Sequence, residues 1–174
     1  MTIVSQKLQE LRARLLMPIR KGGALLVVYP PEEELEFKSG YQEILQELQV
    51  NGIVAQVLDF RTLVFEALDE KGLLQKAFQL DAAGSRDIHQ NLAGIVQREA
   101  FARVQSAADQ LPDSVLCVTN TASLYPWISY SALLDEVEHL VPNTLVIPFP
   151  GTENGPALHF LGVKDGYNYR AARI

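Results

Sequence analysis

Apolar residues recur along this chain at two spacings, and the switching between them predicts the fold. Val4, Leu8, Leu11, Leu15 and Leu16 fall at helical intervals, so residues 1–21 are expected to form an N-terminal amphipathic helix. Pro18 and Gly22-Gly23 stop it. Ala24 to Val28 is then a short unbroken apolar run, which predicts a strand, Leu25–Val28 at its core, covered on both faces. Pro30-Pro31-Glu32-Glu33-Glu34 suits the first turn of a helix: proline tolerates the position and glutamates complement the positive end of the dipole. Phe37, Tyr41, Ile44, Leu45 and Leu48 give that helix an inward stripe, and Asn51-Gly52 ends it.

The same alternation repeats twice. Val54–Leu58 reads as a strand, with Asp59 placed to cap the next helix through the N–H of Arg61 or Thr62. Leu63, Val64, Ala67 and Leu68 form the apolar face of that helix, Lys71-Gly72 breaks it, and Leu73, Leu74, Ala77 and Phe78 begin another turn or two. Asp81 to Gly84 reads as a loop. Ser85 then opens a long helix bearing Ile88, Leu92, Ile95, Val96, Val104 and Ala108, which ends at Pro112. Val115–Val118 and Leu145–Ile147 are the last main strands, separated by the turn Thr119-Asn120-Thr121 and a short helix. Strands alternating with helices predict a single α/β domain over residues 1–174. It has three layers, a mainly parallel central sheet and helices on both faces, flavodoxin- or Rossmann-like. A flavodoxin-like strand order is the first expectation.

Composition narrows the function classes. The chain has 174 residues, 48% hydrophobic and 21% charged, enough for one domain that buries roughly 70% of its unfolded surface. Its one cysteine, Cys117, sits in an apolar strand. This leaves no disulfide framework and fits a reducing compartment, so a cytoplasmic location is expected. Gln6, Lys7, Gln9 and Glu10 interrupt any signal-peptide core. No apolar run approaches the ~20 residues of a membrane span. The net charge is −6. It is uneven: residues 1–21 carry Lys7, Arg12, Arg14, Arg20 and Lys21 against Glu10, whereas residues 32–70 carry ten acidic groups against Lys38 and Arg61. An acidic chain has no general field for nucleic acid, so direct nucleic-acid binding is not expected. Salt-sensitive DNA binding by the basic first helix is the observation that would reverse this.

Catalytic signatures are sparse. No P-loop, Rossmann fingerprint, GxSxG elbow or HExxH motif occurs. His89, His139 and His159 fall on separate elements without partners at metal-ligand spacing. No catalytic residue, metal site or cofactor is therefore expected. Two candidate sites remain. Ligands of open parallel sheets bind beyond the carboxyl ends of the strands, which here carry Tyr29, Asp59, Asn120 and Glu153. Asp59 and Glu153 could pair across that edge and hold Mg²⁺, or be a helix cap and a turn residue. Alternatively, Tyr125, Pro126, Trp127 and Tyr130 form an aromatic cluster of the kind enriched at protein interfaces, or they cap the core.

Four segments in a fixed order resemble one family. They are Val28-Tyr29-Pro30-Pro31-Glu32-Glu33; Asp59-Phe60-Arg61 with Lys71-Gly72-Leu73-Leu74; Leu124-Tyr125-Pro126-Trp127-Ile128 with Leu133-Leu134; and Phe149-Pro150-Gly151 with Leu158-His159-Phe160-Leu161-Gly162 and Tyr167-Asn168-Tyr169-Arg170-Ala171. The chain is similar to the BrxB-like proteins of bacterial BREX phage-resistance systems, as a compact, divergent member. Departures include Asn120-Thr121-Ala122-Ser123 where the family is glycine-rich, and Ser129 in place of an arginine. The resemblance implies a non-catalytic assembly component that acts through protein partners. It sits beside a large ATPase, a DNA methyltransferase and a PglZ-like phosphatase-fold protein, the last being the leading partner. The competing expectation is a small-ligand- or nucleotide-binding protein, or an enzyme, using the strand-end crevice.

Overall fold

The computed structural model describes residues 1–17, 22–138, 141–166 and 171–174. Pro18, Arg20 and Lys21, His139 and the Tyr167–Arg170 part of the closing motif lie outside the described residues. Each long apolar run becomes a strand: β1 (Gly23–Tyr29), β2 (Ala55–Asp59), β3 (Val115–Thr119) and β4 (Thr144–Asn154). With β7 (Ala172–Arg173) they form a parallel array in the order β2-β3-β4-β1-β7. The three-layer α/β architecture is the expected one. The strand order is not: a flavodoxin-like order sets β1 between β2 and β3, whereas here β1 lies between β4 and β7. The connection after β1 therefore passes over β4 and β3 before laying down β2 at the edge.

That connection fixes which helix covers which face. It runs in the opposite direction along the sheet from the β2-to-β3 and β3-to-β4 connections, so right-handed crossovers put their helices on opposite sides. One side holds α1 (Ile3–Leu15) and α2 (Glu34–Val50), packed on Val27, Tyr29, Val115, Cys117 and Val146. The other holds α3 (Leu63–Glu70), α4 (Leu74–Ala82), α5 (Asp87–Gln110) and α6 (Tyr130–Val137). There the core includes Leu26, Val28, Leu116, Val118, Leu145 and Ile147. Both sets of alternate residues are apolar because both faces are covered, which is why these strands read as unbroken runs.

Local chemistry sets the ends. The Thr2 hydroxyl accepts the Ser5 N–H at the start of α1. Gly40 on α2 admits Leu8 so closely that a Cβ there would lie 2.4 Å from the leucine Cδ1. Prolines 30 and 31 start a short 3₁₀ turn (Pro31–Glu33) that leads into α2, and Gly52, at φ 71°, ends that helix. Asp81, read as loop, belongs to the end of α4. At the opposite edge of the sheet, the Asn143 amide donates to the carbonyls of Leu111 (2.9 Å) and Ser114 (2.8 Å). Gln56 donates to the Ala107 carbonyl (2.7 Å) and the Ser114 hydroxyl (2.8 Å). These bonds tie the end of α5 to the starts of the strands.

One excursion leaves the sheet. Past Val146, its last residue paired with β3, β4 continues to Asn154 and turns back into β5 (Ala157–Phe160) and β6 (Val163–Gly166), both antiparallel. The Asp165 carboxylate on β6 accepts the backbone N–H groups of Tyr130 (3.2 Å) and Ser131 (2.8 Å) and the Ser131 hydroxyl (2.6 Å). A carboxylate at the positive end of α6 thus anchors the hairpin to the body of the domain. Among the described residues, no helix is long and apolar enough to cross a membrane.

Candidate functional site

A cavity of about 820 Å³ forms a groove between α2 and the β2 edge of the sheet. α2 covers its face of β2 only in part, with Ala55 packed on the core there. Val57 on that face is 53% exposed. The groove runs from Gln49 and Ile53 at one end to the carboxyl ends of β2 and β3 at the other. Three of the four expected crevice residues, Tyr29, Asp59 and Asn120, line it.

Their polar groups already have hydrogen-bond partners. Asp59 Oδ1 accepts the Arg61 N–H (2.9 Å) and the Asn120 amide (2.8 Å). Asn120 holds this position from a left-handed backbone, φ 56° and ψ 40°, which asparagine tolerates better than most residues. Burial works against the charged form of Asp59, but these two hydrogen bonds and the Arg61 guanidinium outweigh it and hold the carboxyl below its usual range. The anticipated cap is thus an Asx turn: Asp59 bonds Arg61, while Thr62, the residue before α3, makes no side-chain cap. The Tyr29 phenol donates to Glu34, which is also ion-paired with Lys38 at 3.1 Å. Burial, then that hydrogen bond, pushes Tyr29 above the ordinary phenol range.

Glu153 does not join them. The β4 excursion carries it onto the hairpin, where it pairs in register with Leu158 and lies 3.7 Å from the Arg173 guanidinium. It does not line the groove, so the structure assembles no Asp59–Glu153 pair. Among the described residues, no group of three or more His, Cys, Asp or Glu could hold a metal ion.

Beneath the groove, the Tyr41 hydroxyl has no nitrogen or oxygen partner, and the Cys117 thiol is its polar neighbour. Burial pushes the thiol up to about 12 from an ordinary 9.0, although its contact with Tyr41 acts the other way. Burial likewise raises Tyr41 and Tyr130. In the unfolded chain the thiol loses its proton near pH 9; in the folded protein it keeps it to about 12. The native state therefore holds more protons across that window, and stability falls as pH rises through it. Melting temperature is expected to drop steeply between pH 9 and 12 and less steeply in Cys117→Val. An Ellman titration at pH 8 should label the thiol only after denaturant is added.

The aromatic segment divides in two. Tyr130 is fully buried as the first residue of α6, its hydroxyl donating to the Thr121 carbonyl (2.6 Å) and its ring 5.0 Å from Phe160. It is a core residue, inaccessible to a partner. Tyr125 is 39% exposed and leans on Phe160, with centroids 6.3 Å apart. Pro126 is exposed, and Trp127 is half-buried against the core. The indole N–H points to His89 Nδ1 on α5 at 3.4 Å, and the Ser129 N–H donates to Gln97 of the same helix at 3.2 Å. Tyr125 and Pro126 thus form an apolar step on a rigid base.

Sequence reasoning passed over Glu34, Lys38 and Arg61 of the groove. Glu34 and Lys38 are four residues apart on a helix already assigned, and this spacing could have found them. A family model described as BREX protein BrxB matches residues 56–174. No curated protein and no solved structure matches the chain.

Proposed function

The chain belongs to the BrxB family and so is a component of BREX phage defence; on that premise we propose that it is a non-catalytic assembly factor whose partner is a PglZ-like phosphatase-fold protein of the same system. The observation that carries this reading is the exposed Tyr125–Pro126 step, braced from below by Trp127, His89 and Phe160. Rigid aromatic groups presented at a surface make strong contacts at little entropic cost. The polar candidates of the strand-end groove instead already have partners within the chain, Tyr29 with Glu34 and Asp59 with Asn120 and Arg61.

The test is co-purification with the PglZ-like protein. Tyr125→Ala should weaken binding roughly tenfold to thirtyfold, about 1.4–2 kcal/mol, with an unchanged melting temperature. Trp127→Ala should weaken binding and lower the melting temperature together, because Trp127 supports the step and packs on the core. Full binding by both variants would remove this surface from the proposal. Robust turnover of ATP or a phosphoester by pure protein, abolished by Asp59→Ala, would overturn the non-catalytic reading.

The groove of about 820 Å³ supports a second reading, a small-molecule or nucleotide site at Tyr29, Asp59 and Asn120. A melting-temperature increase with a nucleotide, lost in Asn120→Ala, is its signature.

A further inference from the structure

The helical layer carries a second surface that neither the groove nor the aromatic step uses. α4 has no buried residue. Its Phe78 is 57% exposed and stacks on the 52%-exposed Phe65 of α3, centroids 6.4 Å apart. On its other flank, a cleft of about 310 Å³ opens between α4 and α5, with Leu68, Leu73, Leu80, Leu92 and Ile95 among its walls. The charged residues lining that cleft are both cations, Lys76 on α4 and Arg98 on α5.

Like Lys7, Lys71 and Arg86, these cations have no ion-pair partner among the described residues. Arg12, Arg14, Lys38, Arg61, Arg103 and Arg173 each meet a carboxylate. The chain's net charge is −6, yet no carboxylate residue is among the walls of this cleft. An apolar cleft with an unneutralised positive rim, on an otherwise acidic molecule, is complementary to apolar groups flanked by carboxylates.

We propose that the α4–α5 cleft docks an acidic amphipathic helix of a partner protein. Two helices form the walls, and no sheet edge is available there for strand addition, so the fitting occupant is a helix laid in a groove. The nine residues of α4 span roughly 13 Å, room for two or three turns. Apolar residues at i, i+4 and i+7 of the partner enter between Leu80 and Ile95. Aspartates or glutamates on either side of that stripe meet Lys76 and Arg98.

This inference rests on the assembly reading, and its test separates the two. The chain is co-expressed with the other proteins of its BREX system, carrying benzoylphenylalanine in place of Leu80 or, in a parallel sample, of Tyr125. Complexes are purified, irradiated and mapped by mass spectrometry. Crosslinks from position 80 are expected on a net-acidic partner segment with apolar residues at helical spacing. Lys76→Glu with Arg98→Glu should weaken co-purification at least tenfold without changing the melting temperature, and raised salt should do the same to the wild type. An intact complex whose position 80 is silent, or reaches a basic or extended segment, or reaches a second copy of this chain, overturns the inference and leaves the assembly reading in place. If no complex forms with any of these proteins, both fall.

Discussion

Phe149→Ala is expected to remove about 3–5 kcal/mol of stability. Phe149 is fully buried where the parallel sheet hands over to the hairpin. Its ring lies 5.0 Å from that of Phe160 and 6.4 Å from that of Tyr130, edge-on to both. Removing it forfeits burial and two aromatic contacts, and leaves a cavity bounded by a strand, a hairpin and α6. Those elements are held independently, by β1 pairing and by Asp165, so the space cannot close by a small shift. A domain of this kind is stable by only about 5–15 kcal/mol in total. Urea unfolding should show a much lower midpoint with an unchanged slope; a midpoint shift worth under about 1 kcal/mol would mean that this junction is not tightly packed.

Gly151→Ala should cost about 3 kcal/mol, the upper end of what overpacking imposes. The reason is the approach of β5, not backbone strain. A Cβ on Gly151 would lie 2.0 Å from the His159 carbonyl oxygen and 2.9 Å from Phe149 Cε1. The first of these is backbone and cannot rotate aside. To accept alanine, β5 must move away from β4 at the pair Gly151–Phe160, drawing Phe160 out of the aromatic cluster. Hydrogen exchange should report it locally, with protection lost over Ala157–Phe160 before the parallel strands are affected. Unchanged exchange there would sink the argument.

These two positions also mark where the sequence stops being readable. Three of the main strands, β1, β3 and β4, were legible because a strand covered on both faces must be apolar at every position, and Leu26, Leu116, Val146 and their neighbours are; β2, with Gln56 and the exposed Val57, was legible from its place between two helical segments. The continuation of β4 was not, because Pro148, Pro150 and Gly151 argue against a strand. They are tolerated because they lie beyond Val146, where β3 no longer pairs and β1 alone remains as a parallel neighbour. That hidden extension is also what took Glu153 away from Asp59. Tyr130 takes the second of its two expected roles, that of a core residue. A tyrosine opening a helix resembles a surface residue until its hydroxyl is seen to find a backbone carbonyl, which offsets its burial. Asp59, Asn120 and Tyr29 line one groove, since the ends of parallel strands share an edge whatever their order. The order itself depended on how far the first crossover travels, and no local pattern records that.

The position of β1 separates two boundaries that are easily taken for one. The match to the family model starts at residue 56, after β1 and α2 have already been laid down. Yet β1 is the strand that β4 and β7 share as a neighbour. A gene fragment cut where that match begins would encode a sheet with an interior plank missing: β7 would have nothing to lie against, and the underside of β3 and β4 would be stripped to water. The portion matched by the family model is thus smaller than the portion that builds the sheet. Fragments chosen for expression or for interaction screens should begin upstream of Gly23.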